Sequence, residues 1–145
     1  MPEAREPIEA GDIGSGDKER GIMKVFIADD SAVLRERLAI MLSDLPGVQI
    51  VGQAGEGLQA AKLIRKLKPD VVMLDIRMPG GNGIDVLKNI KKDEPAPTVI
   101  MLTAYPYPQY RKKCLEAGAD YFFDKSTEFN KVTKVLKQLV DESRR

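Results

Sequence analysis

The chain has 145 residues and a formal net charge of +1, with 23 basic and 22 acidic side chains interspersed along it. This length suits one domain with a proper core, and the balanced charge leaves no basic footprint, so we expect no direct nucleic acid binding. A single cysteine, Cys114, and the absence of histidine exclude an internal disulfide, a cysteine metal cluster, Ser-His or Cys-His nucleophile pairs and a phosphohistidine on this chain.

The first 22 residues are rich in glycine and acidic side chains and show no apolar periodicity. We predict a flexible N-terminal extension over residues 1–22, followed by one domain over residues 23–145. No apolar run approaches the roughly 20 residues that span a bilayer, and the N-terminus lacks the pattern of a signal peptide. We therefore expect a cytoplasmic protein without membrane association.

Apolar strands and amphipathic helices alternate from Lys24 onward. The second helix presents Leu58, Ala61, Ile64 and Leu67 on one face and ends before Pro69. The last helix follows Ser126. We predict strands at residues 25–28, 48–51 (running on towards Ala54), 71–74, 98–102 and 121–123, and helices at residues 31–45, 58–68, 84–90, 109–117 and after 126.

Strands that are apolar on consecutive residues indicate a sheet that is buried on both faces, and the alternation of strand and helix gives parallel crossovers. We therefore predict an α/β fold: a doubly wound, five-stranded parallel sheet in the flavodoxin-like order 2-1-3-4-5, with five helices. Four strands end on useful polar residues: Asp29-Asp30, Asp75, Thr103 and Asp124-Lys125. These endings are expected to converge at the carboxyl edge of the sheet, where such folds bind ligands.

The converging carboxylates predict a metal site. Asp75, facing two other acids, would suffer like-charge repulsion and a raised pKa without a counterion. Mg²⁺ is the natural counterion, because it prefers oxygen ligands. A carboxylate beside Mg²⁺ can attack phosphorus and form an aspartyl phosphate. The predicted ligands are Asp29, Asp30, Asp75 and the backbone carbonyl of Arg77.

Each residue also has a purely structural interpretation. Asp30 can cap the first helix together with Ser31, Lys125 can form an ion pair with Asp75, and Thr103 can satisfy backbone groups at a strand end. Their joint occurrence at the ends of the expected strands favours a phosphoryl site.

Four stretches, at residues 26–31, 72–80, 101–104 and 118–125, combine the apolar strand ends with the polar residues that follow them. Through these stretches the chain resembles the receiver domain of two-component response regulators from Lys24 to the C-terminus. The resemblance implies that Asp75 accepts a phosphoryl group from a sensor histidine kinase or a phosphotransfer protein, and that the carboxylates named above hold Mg²⁺. It implies a signalling domain that assists its own phosphorylation and dephosphorylation, not a metabolic enzyme.

The same resemblance assigns the residues that respond to phosphorylation. It implies that Thr103 and Lys125 bind phosphoryl oxygens, and that Phe122 is an aromatic switch that turns inward as Thr103 moves. The signalling surface is then formed by the fourth helix, the fifth strand and the fifth helix, and it contacts an unidentified protein target. A monomer or a phosphorylation-dependent dimer is expected, either acting alone or as part of a longer regulator.

Three departures from the family pattern are visible. Ser126 stands where the family usually has a proline after a cis peptide, a geometry that costs a non-proline residue about 2.5 to 4 kcal/mol, so the resemblance leaves this loop geometry open. Phe122 lacks the hydroxyl of a tyrosine. Residues 105–108, Tyr-Pro-Tyr-Pro, can restrict the fourth helix. We further expect Arg77 and Tyr105 to alter the hydrolysis of the aspartyl phosphate.

Three other classes compete with this interpretation. A haloacid-dehalogenase-type phosphatase would need an acid at the second position after its nucleophile, where this chain has Arg77. A flavodoxin-like electron carrier would need a phosphate loop where Asp29 and Asp30 would repel phosphate. A phosphorylation-independent, receiver-like protein-binding module remains the main alternative.

Overall fold

The computed structural model describes residues 22–144, so almost all of the predicted N-terminal extension, and Arg145, lie outside the described residues. Five strands alternate with five helices along the described chain. The strands are β1 (Met23–Ala28), β2 (Val48–Ala54), β3 (Val71–Leu74), β4 (Thr98–Thr103) and β5 (Tyr121–Asp124), and the helices are α1 (Ala32–Ser43), α2 (Gly57–Leu67), α3 (Gly83–Ile90), α4 (Pro108–Glu116) and α5 (Lys131–Ser143).

The strands form one parallel sheet in the order β2-β1-β3-β4-β5. The predicted fold class and strand order are therefore confirmed. Ala28 pairs with Leu74 across β1 and β3, and Leu74 pairs with Met101 across β3 and β4. This register aligns the carboxyl ends of the central strands at one edge of the sheet.

Two hydrophobic cores cover the two faces of the sheet. Phe26 and Ala28 of β1 pack in the core that includes residues of α2, α3 and α4, whereas Val25 and Ile27 pack in the core that includes residues of α1 and α5. Successive side chains of a strand point to opposite faces. The uninterrupted apolar runs of the sequence thus reflect burial on both faces.

Two helices differ in detail from their sequence-based prediction. In α2, the buried face is formed by Gly57, Ala60 and Ile64, and Leu58 is 62% exposed. Helix α5 begins at Lys131, five residues after Ser126. The carboxylate of Asp124 accepts bonds from the amide and hydroxyl of Ser126, both at 2.8 Å, in the turn that follows β5. None of the described helices is long and apolar enough to cross a membrane.

Candidate functional site

Four strands deliver polar side chains to the same edge of the sheet. Asp29 and Asp30 follow β1, Asp75 follows β3, Thr103 ends β4, and Lys125 follows β5. The four strands are parallel and adjacent in the order β1-β3-β4-β5. The carboxyl edge of this sheet therefore carries the predicted set of carboxylates, hydroxyl and ammonium group.

The three aspartates form a compact cluster. One carboxylate oxygen from each of Asp29, Asp30 and Asp75 lies within 4.8 Å of the others. Asp29 and Asp75 are buried, with 2% and 4% exposure, while Asp30 is exposed to solvent. Clustered oxygen donors with one side open to water suit Mg²⁺, which is usually held by few carboxylates and keeps several waters.

Lys125 lies between the two buried carboxylates. Its Nζ is 2.6 Å from Oδ2 of Asp29 and 3.1 Å from Oδ2 of Asp75. Burial lowers the pKa of Lys125, but its hydrogen bond to Asp29 and the charge of Asp75 outweigh burial, so the pKa lies above its ordinary value. The structural ion pair considered from the sequence is thus present, and it places the ammonium group beside Asp75.

The pKa of Asp75 is raised to about 6. Burial is the main cause, the charge of Asp29 adds to it, and Lys125 opposes both. The charge of Lys125 therefore does not offset the combined effect of burial and of Asp29 on the pKa of Asp75. A bound divalent cation would oppose that effect, and so the donor set fits Mg²⁺.

Backbone amides fix the orientation of the buried carboxylates. The amide of Ser31 donates to Oδ1 of Asp29 at 2.9 Å, and the amide of Ile76 donates to Oδ1 of Asp75 at 2.8 Å. Ser31 is the N-cap of α1, and its Oγ accepts from the amide of Leu34 at 3.1 Å. Among the described residues, no helix amide bonds to the carboxylate of Asp30, so capping does not account for this acid.

Thr103 is fully buried at the end of β4. Its Oγ1 accepts a hydrogen bond from the amide of Tyr105 at 2.9 Å, and its carbonyl accepts from the amide of Lys125 at 2.9 Å. The hydroxyl thus satisfies a backbone group in this state, as the structural interpretation expects. The backbone bond also ties Thr103 directly to the residue that carries the ammonium group.

Phe122 lies inside the protein in this structure. Its ring is buried in the core with Cys114 of α4, and Cζ of Arg111 lies 5.6 Å from the ring centroid. Nη1 of Arg111 also lies 3.4 Å from the carbonyl oxygen of Phe122. The ring therefore contacts α4, although a switching role for Phe122 stays a prediction.

Two site contacts had no signal in the sequence. A guanidinium nitrogen of Arg35, on α1, donates to the carbonyl of Asp29. Tyr110, on α4, accepts from Nη2 of Arg77 at 3.4 Å. Each contact joins the site to a helix, and no motif or spacing pointed to either residue.

The peptide bond between Lys125 and Ser126, whose geometry the resemblance left open, is trans.

Comparison with known proteins establishes the family. The sequence model described as the response regulator receiver domain matches residues 25–137. Response regulator GacA of Pseudomonas aeruginosa is 31% identical over 118 residues, covering 81% of this chain and 55% of that protein. A protein-glutamate methylesterase/protein-glutamine glutaminase of Carboxydothermus hydrogenoformans is 43% identical over 119 residues, covering 81% of this chain and 35% of that protein.

Solved structures give the same result. The response regulator domain of Thermotoga maritima CheB superposes with a TM-score of 0.73 at 33% identity, covering 85% of this chain and 96% of that one. The structure of a CheX-CheY-BeF₃-Mg²⁺ complex from Borrelia burgdorferi matches with a TM-score of 0.69 at 31% identity, covering 82% and 98%.

The chain belongs to the response regulator receiver domain family. A receiver is a signalling domain of two-component systems, and receivers bind Mg²⁺ at an acidic pocket. The chain spans about half the length of the first of these curated relatives and about a third of the second.

Proposed function

We propose that this receiver accepts a phosphoryl group on Asp75. The observation that carries the proposal is the position of Asp75: it is buried at the edge of the sheet, 3.1 Å from the ammonium of Lys125 and within 4.8 Å of two further carboxylates. The expected donor is a phosphohistidine on a sensor histidine kinase or a phosphotransfer protein, because this chain has no histidine.

The transfer is a substitution at phosphorus. A carboxylate oxygen of Asp75 forms the new bond to phosphorus, and the bond from phosphorus to the donor nitrogen breaks, with the electron pair leaving on the donor. Lys125 would then donate to a phosphoryl oxygen in place of its present carboxylate partners. The hydroxyl of Thr103, which accepts a hydrogen bond from the amide of Tyr105, would donate its own to another phosphoryl oxygen.

The proposed holders of Mg²⁺ are Asp29, Asp30, Asp75 and the backbone carbonyl of Arg77. When bound, Mg²⁺ would stabilise negative charge on the phosphoryl oxygens. Its charge would also favour the ionised form of Asp75, the form that attacks phosphorus.

The proposed output is a shift of the surface formed by α4, β5 and α5. Movement of Thr103 toward a phosphoryl group would break its bond to Tyr105, the second residue after β4 and three residues before α4. Phe122, whose ring is buried with Cys114 of α4 and lies 5.6 Å from Cζ of Arg111, is the proposed partner in this shift. Phosphorylation would thereby bias an existing equilibrium and present the surface to an unidentified protein target, as a monomer or a phosphorylation-dependent dimer. We propose the cytoplasm, the usual location for this family, as its site of action.

The alternative is a protein-binding module that is never phosphorylated. Lys125 already pairs with both buried carboxylates, and Thr103 already satisfies a backbone amide, so the pocket is internally bonded without a ligand. This arrangement would serve a purely structural role equally well.

Intact mass separates the two functions. We expect the chain to gain one phosphoryl group after incubation with Mg²⁺ and acetyl phosphate, the acetate leaving as phosphorus is attacked. The gain should vanish in Asp75→Asn and without Mg²⁺. No gain with a folded, Mg²⁺-binding chain would overturn the proposal in favour of the binding module.

A further inference from the structure

Residues 75–82, the loop between β3 and α3, are bonded to the first turn of α2. The amide of Gly57 donates to the carbonyl of Pro79, and the amide of Leu58 donates to the carbonyl of Gly80, both at 2.9 Å. The first amides of a helix have no acceptor within the helix, and the N-cap residue of α2 makes no side-chain cap bond. The loop carbonyls therefore act as the cap of α2.

Glycine is needed at both places where this loop meets a helix. A Cβ on Gly57 would lie 2.0 Å from the carbonyl oxygen of Gly81, and a Cβ on Gly83 would lie 1.8 Å from the carbonyl oxygen of Asp75. Both obstacles are backbone atoms, so only movement of the loop would relieve the overlap. Gly83 also donates to the carbonyl of Ile76 at 2.6 Å. Close backbone approach of this kind is a typical use of glycine.

We propose that Gly57, through the first turn of α2, positions the backbone carbonyl of Arg77 for Mg²⁺. Arg77 lies between Ile76 and Pro79, whose carbonyls are held by α3 and α2. The inference rests on the proposed function, in which that carbonyl is a Mg²⁺ ligand. Gly57 is a positioning residue, because it acts on the metal site through the loop.

The expected effect of a change at Gly57 on Mg²⁺ affinity follows from the coordination geometry that Mg²⁺ requires. Mg²⁺ requires near-ideal octahedral geometry, so a displaced ligand weakens binding strongly. Loss of a supporting contact outside the ligands costs about 10- to 100-fold in metal affinity. A methyl group at position 57 would force residues 79–81 away from α2 and would break the two bonds that hold them.

The first test is a calorimetric titration of the full chain with Mg²⁺, which measures the Kd for the ion. We expect Gly57→Ala to raise the Kd for Mg²⁺ by about tenfold or more. Leu58→Ala is the matched control, because it removes an exposed side chain from the same turn and keeps the amide donor. A purely structural role would lower the denaturation midpoint and leave the Kd unchanged. An unchanged Kd in folded Gly57→Ala overturns the inference.

Hydrogen exchange of the wild-type chain gives a second test that does not depend on folding of the variant. If Mg²⁺ binds only while the loop is bonded to α2, exchange of the Gly57 and Leu58 amides should slow by about 11-fold at ten times the Kd. The Lys68 amide, bonded to the carbonyl of Ile64 at the other end of α2, is the internal control. Unchanged exchange of the two amides, or equal slowing at Lys68, overturns the inference.

Phosphoryl acceptance by Asp75 and the positioning role of Gly57 can be tested separately. A wild-type chain that binds Mg²⁺ but gains no phosphoryl mass would overturn phosphoryl acceptance and leave the role of Gly57 intact. A wild-type chain that binds no Mg²⁺ would overturn both.

Discussion

The guanidinium of Arg77 lies over the ring of Tyr105, with Cζ 4.0 Å from the ring centroid. Arg77 belongs to the loop after β3, and Tyr105 belongs to the segment after β4. The guanidinium also bonds to the phenol of Tyr110, which raises the pKa of Arg77 further above its ordinary value. This contact joins the segment after β3, which begins at Asp75, to the segment that follows Thr103 at the end of β4.

Removing the Arg77–Tyr105 contact should shorten the lifetime of the proposed phosphoryl group, because it loosens two segments next to buried Asp75, where water must enter for hydrolysis. A cation–π contact at an exposed site contributes about 0.5 to 1 kcal/mol, so we expect Arg77→Ala and Tyr105→Ala to hydrolyse about two- to fivefold faster. The measurement is the decay of phosphorylated intact mass after acetyl phosphate is removed.

Arg65→Ala is the control for loss of an exposed arginine. Arg65 lies on α2 and bonds to Asn89 at 2.6 Å, away from the strand ends that form the site. Unchanged lifetimes in both Arg77→Ala and Tyr105→Ala would refute a role for the contact in hydrolysis.

Without Mg²⁺, Asp75 should make stability depend on pH. Its pKa of about 6 exceeds the ordinary value of 3.8, so the folded chain binds this proton more tightly than the unfolded chain does. The resulting stabilisation is complete below about pH 4 and is lost as the pH rises through about 6. We expect the stability advantage of Asp75→Asn to grow by on the order of 3 kcal/mol between pH 4 and 7.

Urea denaturation in the presence of a chelator, repeated across this pH range, measures the effect. Asp85→Asn, the same chemical change at an exposed position on α3, is the matched control. If the free energies of unfolding of Asp75→Asn and the wild type differ by the same amount at every pH, the raised pKa of Asp75 is contradicted.

Loss of Lys125 should be partly compensated by Mg²⁺. Lys125→Met leaves buried Asp29 and Asp75 without their ammonium partner, and removing one member of a buried pair costs about 3 to 5 kcal/mol. Because Mg²⁺ would supply the missing positive charge, we expect it to raise the melting temperature more in this variant than in the wild type. Lys131→Met, which breaks the exposed pair with Glu128, is the control. An equal rise in all three proteins would show that Mg²⁺ does not balance these carboxylates.

The placement of the site residues at the strand ends was predictable because it depends on local pattern. Each buried strand appears as an apolar run, and the parallel fold brings the ends of Val71–Leu74 and its neighbours to one edge. Asp75 could thus be placed from the sequence. The sequence also indicates that Lys125 can pair with Asp75. The simultaneous contact of Lys125 with Asp29 depends on side-chain geometry that no spacing encodes.

The contact between the loop after β3 and the start of α2 was not predictable. The amide of Gly57 meets the carbonyl of Pro79 because the first turn of α2 lies beside that loop, and the path of the loop is not set by periodicity. In α2, a helical repeat beginning at Leu58 fits the sequence as well as one beginning at Gly57. Side-chain size favoured Leu58, whereas close approach of the loop to α2 requires glycine on the inner face.

Substitutions on α2 test this orientation. Ile64 is almost fully buried, and Leu58 is 62% exposed. We expect Ile64→Ala to lower the free energy of unfolding by about 2 to 5 kcal/mol, and Leu58→Ala to change it by no more than about 0.5 kcal/mol. Urea denaturation of the two variants measures the difference. Comparable losses would support the face originally predicted from the sequence.

Cys114 offers a probe of α4. The thiol is fully buried, and burial raises its pKa to about 11, so both access and the thiolate needed for reaction are suppressed in the folded chain. We expect no rapid reaction with a disulfide reagent at pH 8 and complete reaction in guanidinium chloride, with Cys114→Ala as the blank. If phosphorylation shifts α4, Mg²⁺ with acetyl phosphate should change the slow native rate in the wild type but not in Asp75→Asn. Equal rates in both proteins would mean that α4 does not open in response to phosphorylation.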